Sequence, residues 1–245
     1  MGFKVAQMAR KKDKQFHFKQ FSVRHDRSGM KVGTDGVLLG AWVTLTNEKN
    51  ILEIGTGSGV IALVLAQRTP PQTHIEAIEP DQSSCLDALE NFSSCPWKDR
   101  IALHQTRLQN FQSNNLFELI VSNPPYFQDS QKPPDSRREL ARHTESLSFT
   151  DLLEGADRLL TPAGRLAIIL PVAEAIQFKQ LATSNFYVIR TCQFRSRQHK
   201  PVERILFEFS RQSQVEKEEV LTLYEEGDRW THEYNKLTRP FYLTA

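Results

Sequence analysis

Between Asn50 and Phe209, short apolar runs alternate with stretches in which apolar residues recur every three or four positions. Side chains repeat every two residues along a strand and about every 3.6 along a helix, so this pattern reads as strands alternating with helices. Ile51 to Ile54 is a buried strand, Gly55 to Gly59 a turn, and Val60 to Arg68 a helix stopped by Pro70-Pro71. A second strand covers His74 to Glu79, and Asp81 caps a helix to about Phe92. Strands at Ile101 to Gln105 and Phe117 to Ser122 follow. Thr150 is expected to cap a helix through Leu160. Pro162-Ala163-Gly164 then turns into a strand at Arg165 to Leu170, and a helix spans about Ala173 to Thr183. The connection between the last strands, Phe186 to Phe194 and Val202 to Phe209, is too short for a parallel crossover, so the two are antiparallel. Ahead of this core, Gln15 to Lys31 reads as a hairpin turning at Asp26-Arg27-Ser28-Gly29, and Leu38 to Val43 as a short helix. Phe16, Phe18 and Phe21 alternate on the hairpin and are expected to face the core. The predicted fold class is α/β: a doubly wound, mostly parallel seven-stranded sheet with one antiparallel strand, plus the N-terminal hairpin. Residues 1–45 form the basic hairpin and leading segment, and 46–245 the α/β domain.

Composition narrows the class. At 245 residues the chain suits one well-buried core, and its apolar and charged fractions are those of a water-soluble protein. No apolar run approaches a membrane span, and the first 14 residues lack the features of a secretory leader. Three sparse cysteines, Cys85, Cys95 and Cys192, suggest reduced thiols in the cytoplasm. The histidine spacing offers no metal site. The net charge of +2 conceals an asymmetry. Residues 1–31 carry nine basic side chains against Asp13 and Asp26, while residues 215–233 carry seven acidic against two basic. Basic groups gather at Arg10 to Lys31, Lys132 to Arg142 and Arg195 to Arg204, a distribution suited to a polyanion. A solvated basic tail would look the same.

The chemistry concentrates in two loops. Glu53-Ile54-Gly55-Thr56-Gly57-Ser58-Gly59 joins the first core strand to its helix, where a sharp backbone turn lets a ligand approach the helix N-terminus. A dinucleotide fingerprint would need glycine at position 60, which is Val60, and no Gly-Lys-Ser/Thr marks a P-loop. Glu79, at the end of the second strand, is placed to accept both hydroxyls of a ribose, a placement nicotinamide sites share. The second loop is Asn123-Pro124-Pro125-Tyr126, at the carboxyl edge of the sheet and stiffened by two prolines. An aromatic amine or an amide is a poor nucleophile because its lone pair is delocalised. The Asn123 side-chain oxygen and the Pro124 carbonyl offer two acceptors that draw such a nitrogen toward tetrahedral geometry, and Tyr126 can stack on a base flipped out of its strand.

Glu53-x-Gly-x-Gly-x-Gly59 with Glu79-Pro80-Asp81 resembles the motifs of class I S-adenosylmethionine-dependent methyltransferases. That resemblance implies S-adenosylmethionine as cofactor, with the glycine loop under its methionine part and Glu79 on its ribose. Such enzymes often carry an acid after the third strand to meet the adenine amine; here Arg107 stands near that place, and recognition falls to backbone groups around Arg107 and Leu108. Asn123-Pro-Pro-Tyr126 is similar to the signature of methyltransferases acting on adenine N6, guanine N2 or glutamine amide nitrogen. It names the nitrogen and leaves the polymer open. Phe16 to Trp42, Glu139-Leu-Ala-Arg142 and Arg239-Pro-Phe-Tyr242 look like segments of bacterial adenine-N6 methyltransferases for valine tRNA. This implies action on adenosine 37 beside the anticodon, no metal, and Thr34-Asp35-Gly36 against the cofactor. A single copy is taken as the working unit. The alternatives are a glutamine-amide methyltransferase acting on protein release factors and a non-catalytic nucleotide- or RNA-binding module.

Overall fold

Ile51 and Leu52 point to opposite faces of one strand and both are fully buried, so the sheet needs cover on both sides. The structure, a computed structural model, describes residues 15–29, 31–125 and 147–243. In chain order these form β1 (Gln15–His17), β2 (Ser22–Arg24), α1 (Thr34–Trp42), β3 (Asn50–Ile54), α2 (Val60–Arg68), β4 (His74–Glu79), α3 (Gln82–Ser94), β5 (Ile101–Gln105) and β6 (Phe117–Ser122). Then come α4 (Phe149–Leu159), β7 (Leu160–Pro171), α5 (Val172–Ala182), β8 (Tyr187–Arg197), β9 (Arg204–Ser210), β10 (Lys217–Tyr224) and α6 (His232–Thr238). The main sheet is ordered β10-β8-β9-β7-β6-β3-β4-β5. Residues of the hairpin, α1, α2, α3 and α6 pack on one face, and of α4 and α5 on the other.

β9 is antiparallel to both β7 and β8, as the short connection requires, and the other pairs are parallel. The sheet has eight strands among the described residues, not the expected seven. β10 escapes the apolar pattern because it is an edge strand whose first four residues, Lys217-Glu218-Glu219-Val220, are exposed. A charged edge of this kind blocks pairing with another chain. The Pro162-Ala163-Gly164 turn lies within β7 as an irregularity: Leu160 pairs with Phe117 and Arg165 with Leu119. Ser148, rather than Thr150, caps α4, in a reciprocal capping box with Asp151.

The hairpin also differs from expectation. β1 and β2 pair with His17 opposite Ser22, so the chain turns at Phe18–Phe21, where the Phe18 N–H donates to the Phe21 carbonyl. Asp26 to Gly29 instead lies against α3. The N–H groups of Arg27 and Ser28 and the Ser28 hydroxyl all donate to one oxygen of Asp87, a residue with no exposed surface. Phe18 and Phe21 are buried as predicted, whereas Phe16 is partly exposed.

Candidate active site

β3 connects onward to β4 on one side and pairs with β6 on the other, so the strand order reverses at β3. A doubly wound sheet opens a crevice at the carboxyl ends of its strands at such a point. Here it is a cleft of about 450 Å³. Gly55, Gly57, Glu79, Leu108 and Asn123 line it, as do Ile54, Ile78, Thr106, Arg107 and Pro125. Five residues expected at the site from the sequence are thus brought together.

The glycine loop and the acid are built as a unit. Gly55 and Gly57 adopt φ of 73° and 55°, which disfavours any side chain, and a Cβ at either would project into open space. The Gly57 N–H donates to Glu79 Oε2 at 2.9 Å, and the Asp81 N–H to Oε1 at 3.0 Å. Each carboxylate oxygen keeps a lone pair for a ligand hydroxyl. Burial raises the Glu79 carboxyl above its ordinary range, against the pull of those two N–H groups. Asp81 caps α3 by accepting from the Ser84 N–H at 2.7 Å.

Five of the expected site residues that the structure describes lie outside the lining: Glu53, Gly59, Thr34, Asp35 and Pro124. Glu53 sits beneath the loop, accepting from Thr56 Oγ1 at 2.6 Å and the Ala62 N–H at 2.9 Å. Burial pushes its carboxyl up to about 8. Gly59, with φ of 88°, faces α3: a Cβ there would stand 2.4 Å from the Phe92 ring. Thr34 and Asp35 start α1, and Asp35 Oδ2 accepts from Arg204 Nε at 2.7 Å. Arg204 opens β9, so the Arg195–Arg204 cluster lies at the carboxyl edge of the sheet.

The Ser122 hydroxyl donates to the Ile54 carbonyl at 2.9 Å and fastens the end of β6 to the start of the glycine loop. Asn123 follows directly. Its Oδ1 is shielded from solvent and has no hydrogen-bond partner among the described residues. Pro124, the next residue, is buried. Tyr126, Lys132 to Arg142 and Glu139-Leu-Ala-Arg142 lie outside the described residues.

Sequence reasoning missed Arg27, Gly29, Ser83, Ser84 and Leu147, which also line the cleft. Ser83-Ser84 carried a signal: small polar residues directly after a strand-end acid and a helix cap. Arg27 and Gly29 arrive only because Asp87 and Asn91 hold their segment. Asn91 Oδ1 accepts from the Arg24 N–H at 2.7 Å, and its Nδ2 donates to the carbonyls of Arg24 and Ser58, each at 2.8 Å. One amide therefore joins the leading segment to the glycine loop.

A family model described as "Methyltransferase small domain" matches residues 28–193, which include both loops. The chain belongs to the methyltransferase small domain family. A relative from Tolumonas auensis, a "tRNA1(Val) (adenine(37)-N6)-methyltransferase", is 44% identical over 229 residues, covering 93% of this chain and 96% of that one. A Bacteroides fragilis protein of the same name is 44% identical over 232 residues, covering 93% and 97%. Among solved structures, a predicted O-methyltransferase of Agrobacterium tumefaciens superposes with a TM-score of 0.67 at 17% identity, over 84% of this chain and 96% of that one. At that identity the likeness speaks for the methyltransferase fold alone. S-adenosylmethionine is the methyl donor of this family. The cleft suits it: a glycine cradle open to a ligand, a strand-end acid with spare lone pairs, and apolar Ile54, Ile78 and Leu108 together in a volume usual for small-molecule sites.

Proposed function

We propose that the chain transfers a methyl group from S-adenosylmethionine to N6 of adenosine 37 in the anticodon loop of valine tRNA. The observation that carries this reading is the buried Oδ1 of Asn123 in the cleft wall, unmet among the described residues. An acceptor left unmatched there costs about 1–3 kcal/mol, and an incoming N–H recovers it. The near-full-length likeness to adenine-N6 methyltransferases selects adenine among planar nitrogens.

In this proposal Asn123 Oδ1 and the Pro124 carbonyl accept the two N–H groups of the flipped adenine, turning the nitrogen lone pair toward the cleft. Tyr126 stacks on the base. Glu79 holds the ribose hydroxyls of the cofactor, Gly55 and Gly57 admit its methionine part, and main-chain groups at Leu108 meet its adenine. Glu53 and Gly59 shape the loop from below, and Asp35, after Thr34 at the start of α1, ties that helix to Arg204. When bound, S-adenosylmethionine supplies a methyl group already activated by the sulfonium charge. The chain then needs no strong base: alignment and directed acceptors suffice, and the proton displaced from N6 leaves toward solvent. Action on tRNA places the protein in the cytoplasm. Among the described residues no helix is long and apolar enough to cross a membrane.

The test is incubation with labelled S-adenosylmethionine and either tRNA lacking the modification or a release factor. Label in tRNA at a single adenosine is expected, and label in protein with none in RNA would overturn the reading. Asn123→Ala should lower kcat by about 100-fold or more while leaving cofactor affinity within a few fold. Collapse of that affinity would make Asn123 a cofactor ligand instead.

A further inference from the structure

Around α6 lies a groove of about 690 Å³ that the chemistry above does not use. Its walls include Lys19 of the hairpin turn, Glu225, Arg229 and Trp230 between β10 and α6, and Lys236 and Arg239 at the end of α6. Four permanent cations thus face one carboxylate. Among the described residues none of them is held in a close ion pair. Lys19 Nζ donates to the Arg239 carbonyl at 2.7 Å, which orients the ammonium without neutralising it. Arg229 comes no nearer than 3.7 Å to Glu225, with both side chains well exposed, a pair worth little in water. Lys236 and Arg239 have no carboxylate within 4.0 Å among the described residues.

The adjoining depression shows what a balanced surface looks like. There Arg195, Arg197 and Lys200 meet Glu225, Glu226 and Glu233, and Arg197 is bound to Asp228. That depression offers an anion nothing net, whereas the α6 groove does. An open groove with spread cations suits a polyanion better than a small ion, and Trp230 adds a ring face in the same wall.

One end of the groove reaches the edge of the sheet that carries the cleft, and the other, at Pro240, lies beside Gln67 in the last turn of α2. β10 runs parallel to β8, so its end at Tyr224, bridged to Trp230, lies at the same edge of the sheet as Asn123. Four strand spacings separate β10 from β6, roughly 19 Å at about 4.8 Å each. A nucleotide flipped into the cleft leaves its flanking RNA to cross that edge.

We infer that the α6 groove is a second contact surface for the substrate RNA, holding backbone phosphates through Lys19, Arg229, Lys236 and Arg239 at a distance from the methylated base. This inference rests on the tRNA reading. The test is the double substitution Lys236→Glu and Arg239→Glu, both at exposed positions, in the full chain. Binding of unmodified tRNA transcript is measured between about 50 and 200 mM salt, beside cofactor affinity and kcat at saturating tRNA. The expected result is tRNA affinity weakened about tenfold or more and a salt slope shallower by about 1.5, as two lost phosphate contacts predict. Cofactor affinity and kcat should stay within twofold. Unchanged tRNA affinity and slope, in a chain whose wild type methylates tRNA, would overturn the groove and leave the function standing. A wild-type chain that leaves tRNA unmethylated overturns both. A variant that loses affinity for a polyglutamate competitor but not for tRNA would assign the groove to an acidic protein, against the inference.

Discussion

Glu53 is a carboxyl group sealed beneath the glycine loop, and its environment sets a pH signature. Burial raises it to about 8, from an ordinary value of 4.5, despite two hydrogen bonds that favour the charged form. Between those values the folded state keeps a proton that the unfolded chain releases, so stability falls as pH rises across the window. The contribution is whole below about 4.5 and fully lost above about 8. A glutamine keeps an acceptor for the Ala62 N–H and carries no charge. Glu53→Gln should therefore flatten the decline, leaving the smaller slope from Glu79, which is raised in the same direction. Urea unfolding at several pH values between about 5 and 9 checks this; an unchanged slope would refute it. The sequence showed that an acid precedes the glycines, but not that it lies under the loop. That depth depends on how α2 packs, which spacing alone does not reveal. Glu79 was easier to place, because a strand-end acid must emerge at the carboxyl edge. Gly59 was read as loop chemistry for want of any local sign that Phe92, 33 residues on, would press against it.

At the scale of elements, α3 deals with the cofactor and the leading segment together. Its N-terminus follows Glu79, and its middle holds Arg24 through Ser28 by way of Asp87 and Asn91. Asn91→Ala strips partners from Arg24 and Ser58 in a buried setting. At about 1–3 kcal/mol per unmet group, and about 2–4 °C per kcal/mol for a chain this size, the melting temperature should drop by roughly 4 °C or more. Cofactor affinity should weaken several-fold because the glycine loop loses its tether at Ser58. Asn91→Asp keeps the acceptor for Arg24 and loses only the donors, so it should loosen the cofactor nearly as much. Cofactor titration of both variants decides the matter, and normal affinity in both would remove Asn91 from the site's support. The same contacts explain the misread turn. Asp26-Arg27-Ser28-Gly29 has good local turn chemistry, yet its N–H groups are spent on a helix some sixty residues away. Local rules worked where the partner was local. The Asp81 cap, the α2 boundaries and the β4 and β6 bounds follow from neighbouring residues and match the structure. β10 failed the same rules because an acidic edge strand shows little alternation.

Across the whole molecule, α1 is secured at both ends by charge. At its start Asp35 meets Arg204. At its end Arg68 donates to the carbonyls of Gly40 and Val43, Arg190 to that of Trp42, and Arg165 to that of Thr44. Cations at a helix C-terminus complement its dipole. Glu208, 1% exposed, holds two of these arginines in place, accepting from Arg165 at 2.8 Å and Arg190 at 3.2 Å. Breaking one member of a buried ion network strands the others, at a cost of about 3–5 kcal/mol. Glu208→Gln should lower unfolding stability by about that amount in denaturant titration, with the cleft chemistry intact once folded. A loss under about 1 kcal/mol would mean that the arginines find other partners. None of this network was legible in the sequence, since its members come from five separate segments. The doubly wound, mostly parallel architecture with one antiparallel strand was legible, because alternating strands and helices with right-handed connections leave few arrangements.

The hairpin has a consequence in time as well as space. Its turn is completed by residues near the other end of the sequence: the Lys19 N–H donates to the Phe241 carbonyl, and Phe18 bridges to Tyr242. A ribosome makes residues 18 and 19 more than two hundred residues before their partners. The parallel core can assemble while the hairpin still waits, and the surface that Lys19 shares with α6 exists only once synthesis has passed Tyr242. A chain cut short between Tyr126 and Tyr242 would carry both signature loops yet lack the groove, so integrity of the product is read out where the two distant segments meet.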